Sequence, residues 1–209
     1  ENKERFFAGI PNVPKKGKNK MQIFLVFLQH ILHSLNDDGK AAIVIPTGFV
    51  SAKSGIEKKI KEYLIENKIL TGVINMPRNI FAATQTNVSI LFLDKKKTND
   101  EVIFIDASEL GETIKEGKNE KTVLSEKDEE FIYSTFKERK KIDEFSVITN
   151  YEKIKEKQYT FNIGRYMDFK IEYIDITEEE FQNKISQFRK NYKTLDSKSK
   201  DAETEMFEV

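Results

Sequence analysis

Few side chains in this chain are of types that do chemistry by themselves. His30 and His33 are its two histidines, and a spacing of three puts both on one face of a helix. Such a pair holds a metal only when other ligands converge on it. The sequence places no third ligand, so no metal site is expected, and a helix-face histidine bonded to a neighbour is the simpler reading of His30. Cysteine is absent, which excludes thiol nucleophiles, disulfides and cysteine-ligated zinc. No G-x-S-x-G elbow positions a serine nucleophile, and no P-loop or G-x-G-x-x-G cradles a phosphate. What remains are short segments beside apolar runs: Pro46-Thr47-Gly48, Pro77-Arg78-Asn79-Ile80-Phe81, and the basic stretch with Lys15, Lys16, Lys18 and Lys20.

Apolar periodicity supplies the elements that would hold these segments. Ile23, Phe27, Ile31 and Leu35, with Phe24, Leu28 and Leu32, recur at helical spacing over residues 21–35, a broad stripe suited to lying on a sheet. Ala41-Ala42-Ile43-Val44-Ile45 is an unbroken run stopped by Pro46, the pattern of a strand buried on both faces. Ser54-Gly55-Ile56-Glu57 matches a capping box, and the helix it opens is followed by a second run over residues 69–76. Strand, helix, strand predicts a right-handed parallel crossover. Residues 88–93 follow too closely for another crossover and are expected to pair antiparallel, with 101–105 at or near a sheet edge. Residues 111–121 are rich in glycine and charge and read as irregular. Ser125-Glu126-Lys127-Asp128 then opens a helix with Phe131, Ile132 and Phe136 inward, before an irregular aromatic stretch with Tyr159, Phe161 and Tyr166. A last helix opens at Thr177-Glu178-Glu179-Glu180, its residues Phe181, Ile185, Phe188, Tyr192 and Leu195 stepping as a and d positions do, with a frayed tail past Ser197.

Composition bounds the function. In 209 residues, 35 basic side chains balance 35 acidic ones, so no global field draws the chain to a polyanion and any nucleic-acid contact must be local or shared with partners. No apolar run approaches the roughly 20 residues of a membrane-spanning helix, and a cysteine-free chain without an apolar leader is expected in the cytoplasm. The start at Glu1 suggests a piece of a longer polypeptide.

Several segments together resemble a known family. Phe27-Leu28-Gln29-His30-Ile31-Leu32-His33-Ser34-Leu35, then Asp38-Gly39-Lys40-Ala41-Ala42-Ile43-Val44-Ile45-Pro46-Thr47-Gly48, resemble the stretch after the catalytic motif of amino-methylating DNA methyltransferases. More closely, they are similar to the modification subunit of type I restriction systems. The likeness continues through Gly72-Val73-Ile74-Asn75-Met76-Pro77-Arg78-Asn79-Ile80-Phe81, Thr86-Asn87-Val88-Ser89-Ile90-Leu91 and Tyr159-Thr160-Phe161-Asn162-Ile163-Gly164-Arg165-Tyr166, covering about residues 6–170. It implies an α/β fold: the C-terminal half of a Rossmann-like, mostly parallel methyltransferase sheet with antiparallel final strands, followed by a helical extension. The implied divisions are 1–110 for the catalytic-domain half, 111–170 for a linker with helical and irregular parts, and 171–209 for a helix and tail making subunit contacts.

The resemblance implies a parent enzyme that moves a methyl group from S-adenosylmethionine to N6 of a flipped adenine, since a stacked base cannot present its amine to the donor. The family's glycine-rich cofactor turn and its Asn-Pro-Pro-Phe motif are both missing here, so the fragment is expected to be inactive alone. Phe81 is the candidate packing face for the flipped base, or else a core anchor. Arg78 and Asn79 are candidates for double-stranded DNA, and Lys15, Lys16, Lys18 and Lys20 for its backbone; solvated loops are the alternative. Pro46, Thr47 and Gly48 close a strand where open α/β sheets build their sites, or form a plain turn. Phe181, Ile185, Phe188, Tyr192 and Leu195 would meet a specificity subunit or a second modification subunit, with the restriction subunit in the same assembly, or pack on their own domain. Two other readings stay open: a non-catalytic docking module for subunits and DNA, and part of a single-chain restriction-methyltransferase fusion.

Overall fold

A computed structural model describes residues 4–17, 21–81, 87–97, 99–117, 119–167 and 176–207. Lys18, Lys20 and Thr86 lie outside the described residues. The chain divides by its contacts into Glu1–Phe169 and Lys170–Val209.

The first unit is built on a five-stranded sheet. Its strands are β1 (Lys40–Pro46), β2 (Leu70–Asn75), β3 (Val88–Asp94), β4 (Glu101–Asp106) and β7 (Ser146–Asn150), in the spatial order β1-β3-β2-β4-β7. β1, β2 and β4 run one way, and β3 and β7 run the other. The α/β class and the antiparallel return of β3 are as expected. β1 and β2 are parallel in direction but not neighbours, because β3 lies between them and bonds to both. Only the β2–β4 ladder is parallel; the other three are antiparallel.

Burial follows position in the sheet. β2 and β4 are enclosed on both faces, which is why they read as continuous apolar runs. β1 departs from its expected double burial: among the described residues only β3 pairs with it, and Ala42 and Val44 are exposed. β4 lies near the sheet edge, as expected, with β7, whose five residues carry little apolar signal, paired along it as the edge strand.

Helices cover the two faces unequally. Against one lie α1 (Phe24–Ser34), α3 (Gly55–Glu66) and α5 (Tyr151–Glu156), sealing a core that contains Leu28, Ile60, Leu64, Val73, Leu91, Phe104 and Phe161. Phe161 and Ile163, on the aromatic stretch, are fully buried in it. α1 is rotated from the expected stripe: Leu25, Leu28, Gln29 and Leu32 face inward, while Ile23 and Phe27 are more than half exposed. Gln29 fixes this phase, its carboxamide accepting from Ala8 N (2.9 Å) and donating to the carbonyls of Gly9 (2.9 Å) and Leu25 (3.0 Å). On the other face α4 (Glu126–Glu138) covers Ile74, Ile103 and Ile105 with Ile132 and Phe136, whereas Phe131 stacks on Phe145, partly exposed.

Caps behave differently from helix to helix. The Ser125–Asp128 box on α4 forms with both bonds in place, and so does the Thr177–Glu180 pair, with bonds of 3.0 and 3.2 Å. Ser54 at the head of α3 makes no side-chain cap bond. Residues 111–121, expected to be irregular, instead contribute to a hairpin of β5 (Glu112–Glu116) and β6 (Asn119–Val123). A four-residue helix, α2 (Gly48–Ser51), follows β1.

In the second unit α6 (Glu178–Phe207) runs on as helix past Ser197. Phe181, Phe188, Tyr192 and Leu195 are exposed along it, and Ile185 is half-buried.

Candidate functional site

The carboxyl ends of β1, β2 and β4 lie along one edge of the sheet, the edge at which open α/β sheets assemble sites. β1 delivers Pro46-Thr47-Gly48, β2 delivers the loop 77–81, and β4 delivers 107–111 leading into the β5–β6 hairpin. β3 starts between the first two, so its opening residues tie them together. The Thr47 amide donates to the Asn87 carbonyl (3.0 Å) and the Met76 amide to that of Val88 (3.0 Å). Fully buried Ser89 donates to Asn75 Oδ1 (2.9 Å), with its hydroxyl 3.4 Å from that of Thr47. This Thr47–Ser89–Asn75 bridge escaped prediction as a site. Its signal was a serine inside the apolar run 88–93 and an asparagine near the end of another.

The loop after β2 has an unusual backbone. Asn79 takes φ 54°, the left-handed region that asparagine tolerates better than most residues. This turns its carbonyl toward the hairpin, where it accepts the Thr122 amide (3.1 Å). Gly111 takes φ 85° where the chain enters the hairpin, and a Cβ there would lie 2.8 Å from the Val123 carbonyl oxygen. Between the 77–81 loop and the hairpin lies a recess of about 480 Å³ whose walls include Arg78, Asn87, Ser108, Glu109, Thr113 and Thr122.

The predicted residues therefore fall into separate groups. Pro46, Thr47 and Gly48 share the carboxyl edge with Arg78, Asn79 and Phe81. Arg78 is exposed and, among the described residues, has no ion-pair or hydrogen-bond partner. Asn79 contributes its backbone to the hairpin anchor. Phe81 is 49% exposed. Lys15 and Lys16 are exposed in the N-terminal segment, and Phe181, Ile185, Phe188, Tyr192 and Leu195 belong to the second unit. Among the described residues no group of three or more His, Asp or Glu side chains is arranged to hold a metal, and no helix is long and apolar enough to cross a membrane.

The N-6 DNA methylase family matches residues 1–204. The chain belongs to that family. It is 32% identical over 178 residues to the type I restriction enzyme MpnII methylase subunit of Mycoplasma pneumoniae, an alignment covering 85% of this chain and 32% of that protein. A solved type I restriction-modification methyltransferase subunit from Streptococcus thermophilus superposes with a TM-score of 0.64 at 34% identity, over 71% of this chain and 30% of that one. A structure described as the basis of complex assembly and conformational transition in a type I restriction-modification system shares the fold, with a TM-score of 0.57 at 16% identity over 91% of this chain and 42% of the other. The chain thus spans about a third of the length of the curated relatives it matches.

The methylase family implies S-adenosylmethionine. Among the described residues the carboxyl edge carries no glycine-rich turn: Gly48 stands alone after β1, with open space where a Cβ would be. The recess beside the hairpin is lined by a carboxylate and hydroxyls as well as Arg78, with no glycine-rich cradle.

Proposed function

We propose that this chain is the C-terminal part of the modification subunit of a type I restriction-modification system, acting in the cytoplasm. Its parent is an adenine-specific N6 DNA methyltransferase using S-adenosylmethionine. The observation that carries the reading is the convergence of the β1, β2 and β4 loops on one sheet edge in a chain that belongs to the N-6 DNA methylase family. The cofactor turn and the Asn-Pro-Pro-Phe motif lie elsewhere in the parent. In support, among the described residues one edge of β1 is unpaired with Val44 exposed, and α1 exposes Ile23 and Phe27; a finished sheet would pair or shield such an edge. Arg78 and the lysines Lys15, Lys16, Lys18 and Lys20 face DNA, and Phe81 is the packing face for the flipped adenine.

The test is transfer of labelled methyl from S-adenosylmethionine to DNA. The chain alone is expected to show none, and activity is expected when it is produced as part of a full-length parent subunit. Transfer by the chain alone would overturn the reading of it as an inactive part.

The exposed stripe of α6 supports docking of subunits through Phe181, Ile185, Phe188, Tyr192 and Leu195. The partners proposed are the specificity subunit or a second modification subunit, in an assembly that includes the restriction subunit. Phe188→Asp with Tyr192→Asp is expected to abolish capture of the specificity subunit while the thermal unfolding of residues 1–170 stays unchanged. Loss of both together would point to packing within the chain.

A further inference from the structure

We propose that the recess between the 77–81 loop and the β5–β6 hairpin seats the sugar-phosphate backbone of one DNA strand, with Arg78 and Lys115 each on a phosphate of that strand. The proposal rests on the reading of this edge as the DNA-facing side and adds to it the hairpin.

Four observations converge on the recess. Arg78 is a guanidinium with no partner among the described residues, at the mouth of a space much larger than a single small anion. Among the described residues it satisfies no carbonyl and pairs with no carboxylate. The opposite wall offers neutral hydroxyl donors. Thr113 and Thr122 have their hydroxyls 3.5 Å apart, so the buried Thr122 can direct its proton to Thr113 and leave the Thr113 proton free to point outward. Ser108 is exposed, and its hydroxyl has no partner among the described residues.

The hairpin also supplies direction. Residues two apart on a strand share a face, about 6.7 Å apart along it, which is comparable with the spacing of phosphates along a strand. Thr113 and Lys115 stand in that relation, and Lys115 is exposed. The track therefore runs from Arg78 past Thr113 to Lys115. The hairpin is held at this distance from the loop by the Thr122 amide on the Asn79 carbonyl, which explains the left-handed conformation of Asn79. Glu109 on the wall and Glu120, directly across the hairpin from Lys115, are opposing charges; their repulsion keeps affinity modest and makes Glu109 a sensitive control.

The experiment is anisotropy of a fluorescent DNA duplex titrated with this chain over a range of salt. Each phosphate contact adds about one to the slope of log affinity against log salt, so Arg78→Gln and Lys115→Gln are each expected to lower that slope by about one and weaken binding several-fold. Glu109→Gln is expected to strengthen binding. Inorganic phosphate at matched ionic strength is expected to displace no DNA. The proposal is overturned if both cation variants keep the native slope, if the unmodified chain does not bind duplex at low salt, or if inorganic phosphate alone competes, which would mark a free-anion site. Methyl transfer with the upstream segment is a separate measurement, so the methylase reading stands or falls independently.

Discussion

At the amino ends of β1, β2 and β4 three cations, Lys95, Lys97 and Arg139, are tied into the chain, whereas at the carboxyl ends Arg78 faces a recess with no partner among the described residues. Lys95 donates to the Leu35 carbonyl (2.6 Å), and Arg139 to that of Thr71 (2.8 Å) with Phe136 beneath it. Lys97 donates to the carbonyls of Leu70 (3.1 Å) and Glu101 and to the Tyr151 hydroxyl (2.8 Å), which itself donates to Leu70 (2.9 Å). These groups close off carbonyls left over where strands end and where β2 bulges between Leu70 and Gly72. The difference teaches which charges serve the fold and which are held out for a partner.

The largest expected effect breaks the tied end. Tyr151→Phe keeps the buried ring and removes the hydroxyl, leaving Lys97 and the Leu70 carbonyl each short of a bond. A loss of about 1–3 kcal/mol is expected, because the hydroxyl takes with it a charge-assisted bond from Lys97 and a bond to the Leu70 carbonyl, read as a lower urea midpoint at unchanged slope. A midpoint equal to that of the unmodified chain would mean the cluster contributes nothing.

pH sharpens the same contrast. Burial, helped by the nearby Arg139 charge, pulls Lys97 from the ordinary 10.5 down to about 8. Burial likewise takes Lys61 down to about 8, the charge of Glu57 opposing part of the fall. Between about pH 8 and 10.5 the unfolded chain therefore holds lysine protons that the folded chain has released, and stability rises with pH. Burial pushes Tyr151 and Tyr166 upward. Above about pH 10 the unfolded tyrosines ionise first and stability falls again. Urea midpoints measured across this range should peak near pH 10, with a smaller rise in Lys97→Met.

A smaller and more local effect is expected at the other end. Gly111→Ala places a Cβ against the Val123 carbonyl at a positive φ, a strain of about 1 kcal/mol or more. It is expected to open the hairpin, seen as faster hydrogen exchange of the Thr122 amide. Equal protection of that amide would show that the hairpin is not held through Gly111.

The sequence made the enclosed strands legible and hid what depends on distant partners. β2 and β4 announced themselves because burial on both faces demands unbroken apolar runs, and the boxes at Ser125 and Thr177 because a cap is a local contract between residues three apart. The place of β3 between β1 and β2 is a long-range choice that no periodicity records. Among the described side chains of β5 and β6 only Thr122 is buried, so Glu-Thr-Ile-Lys-Glu looks like a loop. The phase of α1 was misread because an amide, Gln29, takes a core position to hold Ala8 and Gly9. At the carboxyl edge the loops were visible as strand-ending prolines with polar neighbours. The role of Asn79 was not, because it acts through its carbonyl.

The smallest expected effect is the most discriminating. Arg78→Gln removes a full charge from a side chain that bonds to nothing described, and surface changes of this kind alter stability by no more than about 0.5 kcal/mol. Arg139→Gln removes the same group where it holds the Thr71 carbonyl and lies over Phe136, and about 1–3 kcal/mol is expected to go with it. If the two substitutions destabilise equally, Arg78 is part of the fold and the contrast between the two ends of the sheet fails. If only Arg139 matters for unfolding, Arg78 is carried at no benefit to the folded chain, which is what the proposed DNA contact requires of it.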